Sequence, residues 1–480
     1  MMILSLLLAI LIPQIIAFIF ISTLWPGQKP LRSDFLLKMC LAVGIGFGIL
    51  SCTYFLQLLL FGPSRGALVS TQIALLVLLG AALYYRIRWK KAASVSGIEG
   101  SPPPVLKLHR VLLVLFIVAL IAATAAFVFI SLKHPHGEWD AWAVYNMKAR
   151  FLFRAGDYWR ELFSEPTGWS SPDYPLLIPA TMAACWTLMG RESTAVPVLV
   201  GLLFTLATTG VLVSALSLLR GKTQGLFAGL VLICTPYFIT HGANQYADIP
   251  LGFFLLTSIA LWNLQDRLDD SRGRLLILAG ITTGLAAWTK NEGLLFLIAI
   301  LASRFVIIVP TSGLRPFLRQ IRFFATGLIP VLLVVICFKV TMAPPNRMLF
   351  PAEGPGVVAK LLDFSRYWII LVAFIKQALS FGSWSVSVTP VMVFYLLLIG
   401  VSIEQKEKAS VAASFIALGI MLAGYFMVYV LSPLDVSLHI LTSLDRVFCQ
   451  LWPIFIFNFF LIVRTPEQAW MKRYALSEAA

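Results

Sequence analysis

Charge is what this sequence has least of. Of its 480 residues only 12% are Asp, Glu, Lys or Arg, about half the share of a soluble globular domain. The mean hydropathy is +0.88 and 59% of residues are hydrophobic. These values exclude both a disordered chain and an ordinary soluble domain. Cysteine is also sparse: Cys40, Cys52, Cys185, Cys234, Cys337 and Cys449 all lie in apolar segments and none forms a CxxC pair. Neither a disulfide framework nor a thiolate metal site is indicated. Acids number 22 against 37 basic residues, a net charge of +15. That excess needs no nucleic acid, because membrane proteins gather Lys and Arg in cytoplasmic loops. The first apolar run, residues 3–24, lacks a basic leader and a small-residue cleavage site, so a removed signal peptide is not expected.

What the chain does have is long apolar runs. Many windows of about twenty residues are nearly free of charge, each long enough to cross a hydrocarbon core of roughly 30 Å. The expected fold is an all-α polytopic membrane protein. About thirteen spans are expected, near 3–24, 36–61, one ending near 85 after a short turn, 111–132, 195–219, 224–240, 248–265, 275–289, 291–309, 323–342, 387–403, 409–431 and 448–464. Two further apolar stretches, 174–190 and 364–381, break the alternation as spans and are expected as helices in the outer interface. Four regions follow. Residues 1–110 are N-terminal helices with a basic loop, and 111–342 a membrane core with an outer loop at 133–194. Residues 343–386 form a second outer loop, and 387–480 the C-terminal helices and tail.

The positive-inside rule gives the orientation. The loop around "SGIEGSPPP" carries Arg86, Arg88, Lys90, Lys91, Lys107 and Arg110 against the single Glu99, which makes it cytoplasmic. The run 111–132 then exits, and the stretch "HPHGEWDAW" falls on the outer face. The same alternation puts Asp173, Asp248, Glu292, Asp435 and Asp445 outside, with four of the five His. The titratable chemistry is therefore expected on the outer face.

Five constellations there could carry chemistry. Glu138 and Asp140 sit just past a membrane helix, and either could serve as a general base toward a hydroxyl. Asp140 could instead simply suit a helix N-terminus. In "HGANQYADIPLGFF", Asp248 followed by Pro250 is a helix-start signal, or Asp248 and Tyr246 line a cavity. In "WTKNEGLLF", Lys290 and Glu292 lie between two apolar runs with almost no loop, a costly place unless they face a partner or a cavity; Lys290 suits phosphate. In "LSPLDVSLHILTSLDRVFCQLWP", expected as an outer loop, His439, Ser443 and Arg446 would share one face if helical. Arg446 could clamp phosphate or pair with Asp445, and Arg347 in "TMAPPNRMLF" is a further outer cation. Finally His134, His136, Glu138 and Asp140 alternate, so an extended chain would align them for a divalent cation such as Mg or Mn; Pro135 and Gly137 argue for a turn.

Taken in order, these stretches resemble the GT-C membrane glycosyltransferases, the group of the protein O-mannosyltransferases and aminoarabinose transferases. The similarity rests on the acidic pair after a membrane helix, "SPDYPLLIPATMAACWTLMGRE", "YADIPLGFF" and "WTKNEGLLF". It covers roughly residues 110–310 well. Leu176 stands where the family has the second Pro of Tyr-Pro-Pro-Leu. The resemblance implies transfer of a sugar from a polyprenyl-phosphate donor to a hydroxyl of a glycan, lipid or protein. It also implies a bacterial inner membrane with the site facing the periplasm. On that reading Asp140, or else Glu138, is the base, Lys290 faces the lipid phosphate with Arg446 and Arg347, and Asp248, Tyr246, Glu292, His439 and Tyr174 line the cavity. A flippase for lipid-linked sugar, or a ligase using a lipid diphosphate, are the competing readings.

Overall fold

The computed structural model describes residues 2–26, 32–89, 108–268, 272–346 and 356–471. Among these residues there are helices and no strand. In chain order they are α1 (Met2–Leu24), α2 (Arg32–Phe61), α3 (Arg65–Trp89), α4 (Leu108–Lys133), α5 (Asn146–Arg154), α6 (Leu177–Met189), α7 (Ala195–Arg220), α8 (Lys222–Ile233) and α9 (Pro236–Ala243). Then follow α10 (Asp248–Leu268), α11 (Arg274–Thr289), α12 (Glu292–Ser312), α13 (Leu314–Thr341), α14 (Val357–Leu362), α15 (Phe364–Ser380), α16 (Val388–Ile399), α17 (Lys408–Leu431) and α18 (Val436–Ile462).

Helices cover the expected spans, with a break inside 224–240 and an early end at Ile399 in 387–403, and they differ in what they can cross. Among the described residues nine helices are long and apolar enough, or ten if α8 and α9 count as one span bent by 62°. The bend falls before Pro236, which lacks the N–H that a continuous helix would need. Of the other three, α10 has 21 residues, α11 has 16 and α16 has 12. At 1.5 Å per residue α16 reaches only about 18 Å, well short of a hydrocarbon core.

Two expectations are corrected. The stretch 174–190 does not lie along a surface: α6 is buried on nearly every side, packed against α1, α2, α3, α5 and α7. A helix apolar all round belongs inside a bundle as readily as in an interface. The stretch before the last span is not a loop either. Asp435 accepts a hydrogen bond from Leu438 N–H at 2.9 Å and starts α18 at Val436, so the helix takes in His439, Ser443 and Arg446. By contrast α15 is mostly exposed and amphipathic, with Ile370 buried against α17 and α18.

Helix α10 is the central one, buried from Asp248 to Gln265 against α7, α11 and α18. Its two ends separate the polar residues into two sets. At its far end Arg304 pairs with Asp266 at 2.6 Å, and Arg267 joins Glu404 and Glu407, the latter also facing Arg220. At its start sits Asp248 with the groups described below. Eighteen residues of helix put about 27 Å between Asp248 and Asp266, close to a membrane core. The groups expected inside and those expected outside are thus collected at opposite ends of the bundle.

Helices α11 and α13 cross at glycines. A Cβ on Gly327 would stand 1.9 Å from Ile277 O, and one on Gly280 2.0 Å from Phe324 O. Small residues let the two backbones touch, the usual route to tight packing between helices in lipid. Gly327→Val is expected to lower unfolding free energy by about 1–3 kcal/mol, read as a depressed thermal midpoint in detergent.

Candidate active site

The turn after α4 is folded by its glycine. Gly137 has φ +70°, and a Cβ there would sit 2.5 Å from Asn244 O. Only a residue without a side chain fits that position and that conformation. The turn is then tied down. Glu138 N–H donates to Asn244 O, Gln245 Nε2 to Pro135 O at 3.2 Å, and Asn146 Nδ2 to both His136 O and Gln245 Oε1. The chain leaves this turn through Asp140 into a π-helical turn, Ala141–Tyr145, before α5. Such wide turns are rare and gather at functional sites.

Asp248 is fully buried and accepts four hydrogen bonds. They come from Lys290 Nζ at 2.8 Å, Gln450 Nε2 at 2.5 Å, Arg446 Nε at 3.1 Å and His241 Nε2 at 3.0 Å. Its place at the start of α10 adds the favourable end of the helix dipole. Lys290 also meets Glu292 Oε1 at 2.9 Å. Arg446 reaches past Asp248 to Asp140 Oδ2 and lies over the Tyr246 ring at 4.7 Å. One guanidinium therefore joins the two acids that the sequence separated by more than a hundred residues.

These groups edge a cavity of about 540 Å³. Asp140, Tyr174, Lys290, Glu292, His439 and Arg446 line it. Gln450, Ser443, Asn291, Lys339 and Asn346 complete its polar part. Tyr425 and Tyr429 also line it, and the remaining residues are apolar, among them Leu294, Leu295 and Ile298 from α12 and Val428 from α17. The geometry brings together most of the residues proposed from sequence. Asp248 and Tyr246, expected in the lining, are not part of it: Asp248 is buried and bonded to Lys290, Arg446 and Gln450, which do line it, and Tyr246 lies against Arg446.

Others go elsewhere. Glu138 pairs with His134 at 3.5 Å, with both side chains about half exposed, and is absent from the cavity lining. His136 faces Arg150 at 3.1 Å. The alternating His134, His136, Glu138 and Asp140 do not converge on one point: His134 and Glu138 pair with each other, His136 faces Arg150 and Asp140 meets Arg446. Among the described residues no three His, Cys, Asp or Glu converge as metal ligands. Arg446 does not pair with Asp445, whose carboxylate accepts from Gln377. Arg347 lies outside the described residues.

A second polar cluster was not singled out from sequence. Asp173 accepts from Asn291 at 3.0 Å and Asn346 at 2.8 Å, while Lys339 donates to Asp173 O and to Asn291 Oδ1 at 2.7 Å. Beside it Lys148 is wholly buried and donates to Ser171 O at 2.5 Å, with the Tyr174 ring 5.7 Å away. Burial pushes the Lys148 ammonium down from its ordinary 10.5 to about 7, against the pull of Asp173. Burial likewise pushes the Tyr174 phenol up to about 12.

Residues 173–339 match the dolichyl-phosphate-mannose-protein mannosyltransferase family. No curated protein and no solved structure matches the chain. The matched segment, about a third of the chain, runs from Asp173 to Lys339. It includes Tyr174, Asp248, Lys290 and Glu292, and leaves out Asp140 and Arg446. It bears out the resemblance to the GT-C superfamily and supports a membrane glycosyltransferase of that type.

Removing the buried carboxylate leaves Lys290 and Arg446 short of a partner. Asp248→Ala is expected to cost about 3–5 kcal/mol of stability, seen as a fall in folded yield and thermal midpoint. For Lys148, between about pH 7 and 10.5 the unfolded chain holds a proton that the folded chain lacks. Its contribution to stability therefore rises with pH across that window and is level below it. Lys148→Met is expected to flatten that slope in unfolding measured from about pH 7 to about pH 10.

Proposed function

We propose that this protein transfers a sugar from a polyprenyl-phosphate donor to an acceptor hydroxyl at the outer, periplasmic face of a bacterial inner membrane. The observation that carries this reading is that Asp140 opens on a cavity with a polar floor and an apolar side wall. A lipid-linked sugar has that same division. Its prenyl tail suits the groove formed by Leu294, Leu295 and Ile298 against Val428, and its head group belongs with the charged residues.

Asp140 acts as the general base. Its carboxylate is about one-fifth exposed, enough to meet an incoming hydroxyl, whereas Asp248 is sealed off by its four donors. The acceptor oxygen attacks the anomeric carbon as its proton passes to Asp140. The bond from that carbon to the phosphate oxygen breaks, and the electron pair leaves with the lipid phosphate. Arg446 aims the Asp140 carboxylate, and Tyr246 beneath the guanidinium fixes its plane. Glu138, turned toward His134, is not part of this step.

Purified protein is expected to release polyprenyl phosphate from a polyprenyl-phosphate sugar while glycosylating an acceptor. Asp140→Asn is expected to slow that turnover by about 10²–10⁴-fold while still binding donor. Full turnover by Asp140→Asn would remove the assigned base. Movement of lipid-linked sugar across vesicles without transfer would overturn the reading as a whole.

A further inference from the structure

Among the described residues three cations, Lys290, Lys339 and Arg446, line the cavity, and they are not equivalent. Lys290 touches two carboxylates, Asp248 at 2.8 Å and Glu292 at 2.9 Å. Arg446 also touches two, Asp140 and Asp248. Around these two cations stand three carboxylates, so this side of the cavity already holds as much negative charge as it can neutralise. A phosphate brought to Lys290 would lie beside Asp248 and Glu292, where repulsion offsets the attraction. Lys339 differs. Its Nζ donates to two uncharged oxygens, Asp173 O and Asn291 Oδ1, and among the described residues no carboxylate forms an ion pair with it, those of Asp173 and Glu292 acting only at longer range. Three N–H donors on an ammonium leave one for a ligand.

Position supports the same choice. Lys339 is near the end of α13, which packs on α11 and α12, while Arg446 is on α18, which packs on α10 and α17. The apolar side chains of α12 and α17 line the same cavity as both cations. A head group held at Lys339 can therefore keep its tail against Leu294 and Ile298 while its sugar points toward Asp140.

We infer that Lys339, and not Lys290, is the residue that contacts the phosphate of the lipid donor. Lys290 is a positioning residue that holds Asp248 and Glu292. This inference rests on the proposed transfer reaction and refines it. When the sugar–phosphate bond breaks, the leaving group passes from a diester with one charge to a monoester with up to two, so a cation at that oxygen gains strength as the bond breaks. Asn291, bonded to Lys339 and to Asp173, fixes the direction of the ammonium.

The test is binding of radiolabelled polyprenyl monophosphate to the full chain in detergent, with the uncharged polyprenol and inorganic phosphate as separate probes. The wild type is expected to prefer polyprenyl monophosphate to polyprenol. Lys339→Met is expected to reduce that preference by about 10- to 100-fold, the worth of a hydrogen bond to a charged group, with polyprenol binding kept. Lys339→Arg is expected to restore most of it. Lys339→Met should also lower kcat more than Lys339→Arg does. If Lys339→Met loses affinity for both lipids alike, its role is structural and the inference fails. If it retains the preference, the inference fails too while the reaction stands. Tight binding of inorganic phosphate alone, unaffected by Lys339→Met, would place the anion elsewhere. A wild type that neither binds polyprenyl monophosphate nor transfers from its sugar conjugate would overturn the proposed function itself.

Discussion

A single carboxylate, buried without access to water, sets the terms for the site. An ionised Asp248 in that place is tenable because four donors surround it, and a buried charge lacking such partners would be expelled or neutralised. The donors come from α9, from the short link after α11, and twice from α18. The acid therefore works as a knot: His241 is only seven residues away, but Lys290 and the two α18 donors come from distant parts of the chain. Arg446 extends the knot to Asp140, and the Gly137 turn, docked on the residues just before Asp248, brings Asp140 within its reach. Positions far apart in sequence become fixed relative to one another through one side chain.

The cavity inherits an electrical asymmetry from this. Beside Asp248 the cations are already taken, whereas Lys339 makes its direct hydrogen bonds to neutral oxygens. Where a site holds several cations, their count says little about where an anion settles. Their existing partners decide it, since a lysine gripped by two carboxylates is electrostatically spent while one gripped by amides and carbonyls is not.

Much of this was legible in the sequence, and for stated reasons. Lys290 and Glu292 stood out because two apolar runs left them no loop in which to be solvated. Asp248 stood out by its Pro-containing helix start, and Asp140 by its place past a membrane helix. The choice between Asp140 and Glu138 was not legible, since it depends on which way the Gly137 turn rotates them. Nor was the extension of α18 over His439 and Arg446, where the Asp435 cap outweighed the charges that suggested a loop. The cluster of Asp173, Asn291, Lys339 and Asn346 joins residues from three distant segments. Lys148 sits in an ordinary amphipathic stretch, with nothing local to mark it as buried. The all-round apolarity of α6 fitted a lipid interface and a protein interior equally, and only its neighbours distinguish them.

Helix α4 is held by little protein. Only 11% of its most apolar window is buried, and its main neighbours are α8 and α9. Yet it leads directly into the turn that carries Asp140. Its height and tilt are set as much by the surrounding lipid as by the bundle, because a helix longer or shorter than the hydrocarbon layer adjusts by tilting. The docked turn resists that adjustment at one end only. A change of bilayer thickness that tilts α4 would therefore be carried into the turn that holds Asp140.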